Sequence, residues 1–286
     1  CESLTQLDVS NFDTSNVTNM SSMFFGCANL SQLDVSNFDT SNVTNMDFMF
    51  SQCANLSQLD LSSFDTSNVT NMRYMFDDCE SLTQLDVSNF DTSNVTDITC
   101  MFSQCANLTQ LDVSNFDTSN VTSLAGMFAL CKNLTTLDLS NFDTSNVIDM
   151  SSMFYDCTSL TKLDISNFNT PKVWNNTNQI FFNTNNLNTI ILSQNISQEI
   201  LSSLSQNWYK LPDGTFYNSL FNSFDKSTIA GTYVKDFYAG IYAMWKEDTK
   251  TISIVSNEDA KKLEGNDYCR ISVSYTHLRA HETSAH

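Results

Sequence analysis

Cysteine returns at a constant interval of 26 residues along the first part of the chain, and this period constrains the fold more than any other feature. The series is Cys1, Cys27, Cys53, Cys79, Cys105, Cys131 and Cys157. Two phenylalanine series, which begin at Phe12 and Phe24, keep the same interval. A fixed period of this length predicts a solenoid in which each repeat forms one coil and packs against its neighbours.

Each coil combines two hydrophobic periodicities. In the first coil Leu7 and Val9 alternate with polar residues, which predicts a short strand with both side chains inward. Apolar residues then follow at positions 20, 23, 24 and 27, the spacing of a short amphipathic helix, for which Thr18 is the expected N-cap. We therefore predict an α/β repeat solenoid with one short strand and one short helix per 26-residue coil and a parallel sheet on one face.

One long motif extends through nearly the whole repeat. It reads M-x-x-M-F-x-x-C-x-x-L-x-x-L-D-(V/L)-S-x-F-D-T-S-N-V-T, and residues 20–46 contain one complete copy. This motif resembles the repeat of BspA-like leucine-rich-repeat surface proteins of host-associated bacteria. The resemblance implies a leucine-rich-repeat-like fold, a secreted or cell-surface location, and a role in adhesion or protein binding rather than catalysis. It does not imply a particular ligand.

The periodicity divides the chain into three parts. Residues 1–192 form the repeat domain, with seven coils and a degenerate capping coil that has one inserted residue. Residues 193–272 form a small α+β region, with helices expected in ISQEILSSLSQN and YNSLFNSFDK and strands in GTYVKDFY and IYAMWKEDTKTISIVS. Residues 273–286 resemble translated adapter sequence and are excluded from the fold and function. Because the chain starts inside a repeat, we expect any export signal and anchor to lie outside this sequence.

The cysteine column has three interpretations: disulfides, metal ligands, or small apolar packing residues. A step of 26 residues gives a straight column of parallel side chains, whereas a metal site needs ligands that converge from different directions. Seven is also an odd number for pairing. We therefore expect buried, reduced cysteines. The methionine and phenylalanine stripe is likewise expected in the core between coils.

Negative charge is concentrated in the repeats. Residues 1–170 hold 21 acidic and three basic residues, a net charge of −18, which disfavours nucleic acid and anionic membranes as partners. An acidic column should project from the sheet face, and its carboxylates need solvent exposure, raised pKa values or weakly bound Ca²⁺ between them. This column comprises Asp8, Asp34, Asp60, Asp86, Asp112, Asp138 and Asp164. A second column, which begins at Asp13, is expected to accept bonds from the backbone of its own turn.

The positions that vary between coils are the candidates for recognition, because a uniform face cannot match an irregular partner. They lie on the outward side of the predicted helix and include apolar residues where solvent is expected. The partner-binding candidates are Phe48, Arg73, Tyr74, Leu130 and Tyr155. The alternative is an unused convex face. We assign no catalytic residue, metal or cofactor, and predict an extracellular adhesin or spacer with a protein or glycan partner; the alternatives are a Ca²⁺-binding acidic scaffold and an enzyme site in the C-terminal region.

Overall fold

The computed structural model describes residues 1–173, 177, 179–204, 208–211, 216–217, 229–235, 241–246, 251–256 and 268–271. The chain divides into two compact units, Cys1–Lys235 and Asp236–His286. The excluded segment 273–286 and the expected helix at 217–226 lie outside the described residues, apart from Tyr217 at the end of a strand.

Consecutive coils of the first unit pack side by side with the register of the sequence period. Parallel bridges join Asn19 to Asn45 and Asn45 to Asn71, and the same step continues as far as Asp149. Along the same segment, alternate backbone N–H groups donate to the next coil: Met20 N–H bonds the Asn45 carbonyl at 2.9 Å and Ser22 N–H bonds that of Asp47 at 2.9 Å. The 26-residue repeat is therefore also the unit of backbone hydrogen bonding.

The short helix expected in each coil is wrong. Residues 20–27 form two consecutive tight turns, in which Met23 N–H bonds the Met20 carbonyl and Cys27 N–H bonds the Phe24 carbonyl, both at 3.2 Å. The third residue of each turn has a positive φ, 56° at Ser22 and 70° at Gly26, which no α-helix tolerates. Two consecutive four-residue turns bury side chains at the same sequence spacing as a helix does. The hydrophobic pattern therefore could not distinguish the turns from a helix. Thr18 consequently caps no helix.

Strands are present only in the last coils. The first three strands are parallel and occupy equivalent positions: β1 (Thr136–Asp138), β2 (Lys162–Ile165) and β3 (Thr189–Leu192). In the earlier coils the corresponding residues form no strand, although Val9 and its equivalents are buried and the residues beside them are exposed. The inward and outward alternation is thus confirmed, while a strand in every coil is not.

The capping coil is followed by a change of strand direction. Helix α1 (Gln198–Ser203) begins after the Ser197 N-cap. Strand β6 (Gly231–Val234) pairs antiparallel with β3 and with β4 (Trp208–Leu211), which in turn pairs with β5 (Phe216–Tyr217). The result is a six-stranded mixed sheet in the order β1-β2-β3-β6-β4-β5. An antiparallel strand therefore covers the exposed edge of the last parallel strand.

The second unit contains an antiparallel three-stranded sheet. Its strands are β7 (Ile241–Lys246), β8 (Thr251–Ser256) and β9 (Tyr268–Ile271), in the order β8-β7-β9. The β7–β8 hairpin pairs Ile241 with Ser256, within the segment expected to form a hairpin. Among the described residues of the chain, no helix combines the length and apolar character that crossing a bilayer requires.

Candidate functional site

The constant part of the repeat is a stacking device. The Thr14 hydroxyl donates to the Asp39 carbonyl at 2.9 Å and accepts from Asp39 N–H at 2.8 Å, so one buried side chain replaces a pair of backbone bonds between coils. Thr40, Thr66 and Thr144 repeat both bonds, and Thr92 and Thr118 repeat the donated one. The fixed threonine of the NFDTSN segment is thereby explained by packing and needs no ligand.

The other polar residues of that segment also bond the protein itself. Asp13 accepts from Ser15 N–H at 3.1 Å, as expected for the turn, and the side chain of Asn42 donates to the Ser15 carbonyl at 2.9 Å. The asparagine that precedes the phenylalanine does the same: Asn89 donates to the backbone of the preceding coil at 2.8 and 3.0 Å. The N-V-T triplets are therefore part of the joint between coils.

The acidic column of the sheet face is exposed from Asp8 to Asp138, as expected, and hydrogen bonds rather than raised pKa values stabilise these carboxylates. Each accepts from the backbone N–H of the serine two residues later, for example from Ser10 to Asp8 at 2.9 Å. Hydrogen bonds from that serine lower the pKa of the carboxyls of Asp8, Asp34, Asp60, Asp86, Asp112 and Asp138. Asp164 accepts the same bond from Ser166 at 3.0 Å. Within the described ranges, no three acidic, cysteine or histidine side chains come together as a metal site.

The cysteine column is buried from Cys27 onward and its thiols are free, as the sequence predicts. From Cys53 onward each thiol also makes a hydrogen bond that the sequence did not suggest. The Cys53 thiol donates to the Phe24 carbonyl at 3.2 Å, and the later cysteines repeat this bond at 3.0–3.3 Å. Burial raises the pKa of Cys53 to about 12, which keeps the thiol protonated and unreactive.

The variable residues form a continuous surface that we call the turn edge: the two central residues of both tight turns in every coil, beginning with Ser21, Ser22, Phe25 and Gly26. In the next two coils Phe48 and Tyr74 occupy the position of Ser22, with φ of 54° and 55°. Their rings are stacked, with centroids 4.7 Å apart and planes within 5°. The Phe25 ring, 43% exposed, meets Phe48 edge-on at 6.1 Å. Three aromatic side chains from three coils therefore form one group at the surface.

Arg73 belongs to the same group. Its guanidinium carbon lies 5.1 Å from the centroid of the Tyr74 ring. Arg73 is exposed and is the first basic residue of the chain, and it makes no ion pair with any described side chain. A hydrogen bond with Cys100, together with partial burial, raises the pKa of the Tyr74 hydroxyl. The structure thus brings three of the five partner-binding candidates together.

Leu130 and Tyr155 lie elsewhere on the turn edge, in adjacent coils. Leu130 N–H bonds the Tyr155 carbonyl at 2.6 Å. The Tyr155 ring stacks on Phe182, with centroids 5.1 Å apart and planes within 13°, and Phe182 is 53% exposed. Sequence reasoning missed Phe182 because the residue inserted in the capping coil moves it off the 26-residue grid. The adjacent pair Phe181-Phe182, of which the first is buried on Phe154 at 5.5 Å, was the available signal.

Buried polar residues occupy the turn edge in the coils of Phe48 and Tyr74 and in the coil that follows them. Asp77 lies at the position of Phe25 and is buried, with Ser51 and Ser103 at the equivalent positions of the flanking coils. Burial raises the pKa of the Asp77 carboxyl, and a hydrogen bond with Ser103 opposes that shift. The position varies in the sequence but is covered in the structure, so the outward direction expected for it is wrong for Asp77.

One known protein family matches the repeats of this chain. The model of the family described as "Mycoplasma protein of unknown function, DUF285" matches residues 1–110 and again residues 83–195. The two matches overlap and extend through the seven coils and the capping coil. No curated protein matches the chain.

Proposed function

The chain belongs to the DUF285 family, and from this membership and the unequal faces of its coils we propose that it is a non-catalytic interaction protein displayed outside the cell. In this proposal the coils form a leucine-rich-repeat-like solenoid of the BspA-like type, and the protein serves as an adhesin or spacer that binds host or neighbouring-cell macromolecules. The resemblance of the repeat motif to those surface proteins supports the location, and the net charge of −18 over residues 1–170 suits a solvated surface.

The observation that carries the proposal is the aromatic group at Phe48 and Tyr74. The tight turn requires a left-handed residue at this position, which glycine adopts without cost and which Gly126 fills in a later coil. A non-glycine residue there costs about 1 kcal/mol or more. Two such residues therefore cost about 2 kcal/mol or more, and one stacked pair of rings returns only about 0.5–1.5 kcal/mol. Polar side chains such as Gln52 and Gln104 adopt the same conformation elsewhere on the turn edge. The turn therefore does not require aromatic rings at positions 48 and 74, and binding explains them better than folding.

The composition of the group also suits an interface. Tyrosine and arginine are enriched among the residues that dominate binding energy, and here they lie in contact with each other beside a second aromatic residue. By contrast, the constant polar residues of the coil are occupied by bonds within the stack. A partner that recognises this protein specifically would therefore contact the turn edge.

A binding experiment with purified host extracellular-matrix proteins tests the proposal. The full chain and the double variant Phe48→Ala with Tyr74→Ala are immobilised and titrated with each protein. We expect the double variant to bind roughly tenfold or more weakly, because truncation removes the central anchors. Ser152→Ala, at the same turn position of a later coil, is the matched control and should bind as the unaltered chain does. Equal binding by the double variant, at an unchanged melting temperature, contradicts the proposal.

A further inference from the structure

We propose that the turn edge is a two-anchor docking surface for a basic, amphipathic polypeptide segment, with one apolar side chain held at Phe48 and Tyr74 and a second at Tyr155 and Phe182. The inference rests on the proposed function, since it names the chemistry of the partner that the same surface would take. It adds the second anchor, the distance between the anchors and the sign of the partner's charge.

In both anchors the ring faces that stack on each other are closed to a partner. Phe48 covers one face of Tyr74 at 4.7 Å and the Arg73 guanidinium lies over that ring at 5.1 Å. Tyr155 and Phe182 cover each other at 5.1 Å. A sugar ring stacks on an open aromatic face, and stacking has removed one face of each of these four rings. The exposed ring edges carry the positive part of the aromatic quadrupole and suit aliphatic or aromatic side chains and backbone carbonyl groups of a polypeptide.

The surface between the anchors is built from small residues. It includes Cys100, Ala125 and Gly126, and a Cβ placed on Gly126 would lie only 2.6 Å from the Cys100 sulfur. Any larger side chain at position 126 would therefore displace its neighbour. Tyr74 and Tyr155 are three coils apart, which at about 4.8 Å per coil separates the anchors by about 15 Å. An extended segment covers that distance in about four residues, and an even spacing keeps both anchoring side chains on one face.

The negative charge of the repeats favours a basic segment as the partner. Asp78 belongs to the turn edge in the coil of Tyr74, and in the next coil Asp97 accepts from the Thr99 N–H at 2.9 Å. The array from residue 1 to 170 carries 21 acidic residues against three basic ones. The described side chains contain one ion pair, between Lys132 and Asp156 at 3.8 Å, so most of this negative charge has no basic partner within the described chain. An acidic or sulfated partner would be repelled, whereas lysine or arginine side chains between the two anchors would be attracted.

Synthetic peptides test the chemistry directly. The probe is a fluorescent peptide with two tryptophans four positions apart, so that both lie on one face of an extended segment, and alternating lysine and serine elsewhere; one control replaces both tryptophans with serine, and another replaces the lysines with glutamate. We expect the probe to bind the full chain and both controls to bind at least about tenfold more weakly. Phe48→Ala with Tyr74→Ala, and separately Tyr155→Ala with Phe182→Ala, should each weaken the probe about tenfold, as anchors should. A probe whose two tryptophans are adjacent can reach only one anchor, so its binding should not weaken in the variant Tyr155→Ala with Phe182→Ala.

Three results would overturn the inference. Equal affinity of the serine control would show a general attraction of lysine to acidic protein. Probe binding that neither double variant weakens would place the peptide elsewhere. Binding of neutral oligosaccharides that the same variants abolish would assign the edge to glycans. The proposed function is tested separately. If matrix proteins bind the Phe48 and Tyr74 variant more weakly while the probe does not bind at all, the edge is an interface and only the partner chemistry proposed here is wrong.

Discussion

On the sheet face, five consecutive coils present glutamine, aspartate and serine at equivalent positions, whereas the turn edge of the same coils presents a different set of residues at each step. The constant residues bond backbone groups of their own turn or of the neighbouring coil, so each copy contributes to holding the stack. The turn-edge side chains contribute little to stacking, and the third residue of each tight turn has a conformation that favours glycine. Repetition in this protein therefore marks structure, and variation marks the surface available for recognition.

The largest effect should come from the inward phenylalanine column. Phe102 is fully buried between Phe76 and Phe128, with ring centroids at 5.8 and 6.0 Å. We expect Phe102→Ala to lower the free energy of unfolding by about 3–5 kcal/mol, because it leaves a cavity between coils. Phe25→Ala on the turn edge should cost below about 1 kcal/mol. Denaturant unfolding of both variants measures the difference between their free energies of unfolding. Equal losses would contradict the contrast between the buried column and the turn edge.

The buried threonine column should give the next largest effect. Thr66→Val leaves the Asp91 N–H and carbonyl groups without the bonds that Thr66 now makes at 2.8 and 3.0 Å, at a cost of about 2–3 kcal/mol. Thr70 is exposed and donates one bond to the Thr44 carbonyl at 3.1 Å. Thr70→Val should therefore cost only about 0.5 kcal/mol. If thermal unfolding shows similar losses for the two variants, the hydroxyl bonds do not hold the coils.

The third coil lacks the asparagine bonds to its neighbour, and one substitution can add them. It carries Ser63 where the other coils have asparagine, and its hydroxyl reaches the Val35 carbonyl only at 3.5 Å. Ser63→Asn should restore two bonds and raise the free energy of unfolding by about 1 kcal/mol, while Asn89→Ser should lower it by about the same amount. Denaturant midpoints of the two variants decide this. A loss of stability in Ser63→Asn would show that the asparagine column is not what joins neighbouring coils.

The two surfaces should respond to acid with opposite sign, in the smallest effect of the series. The pKa of Asp60 is lowered by Ser62, so its stabilisation is present above the ordinary value of 3.8 and is lost as pH falls through the folded pKa. The pKa of Asp77 is raised by burial, so its ionised form destabilises the fold at neutral pH and this penalty disappears on acidification. Asp77→Ser should raise the melting temperature at pH 7 and have no such effect near pH 3.

Asp60→Ser is the matched variant on the sheet face. It should lower the melting temperature at pH 7, because the turn loses its carboxylate acceptor, and its effect should also diminish in acid. Melting curves between pH 3 and pH 7 for both variants would show the opposite signs. Two variants that shift in the same direction would remove the electrostatic part of the contrast between the surfaces.

The sequence allowed the stacking register, the inward columns and the pairing of variable positions to be predicted, because an invariant period places equal residues side by side. It did not allow the turns to be distinguished from a helix: Met20, Met23, Phe24 and Cys27 have helical spacing in either conformation. The burial of Asp77 and the contact of Phe182 with Tyr155 were also missed. The first depends on how closely neighbouring coils approach, and the second on a one-residue insertion that shifts the grid.

The hydrogen bonds along the turn edge all run in one direction, from the N–H groups of one coil to the carbonyl groups of the next. Each peptide group carries a dipole of about 3.5 D. Groups aligned head to tail add along the axis of the stack, as they do in an α-helix, with the carbonyl end toward the first coil and the N–H end toward the capping coil. The edge is therefore electrically polar along its length, and a basic segment lying on it would be oriented, its more positive end toward the first coil.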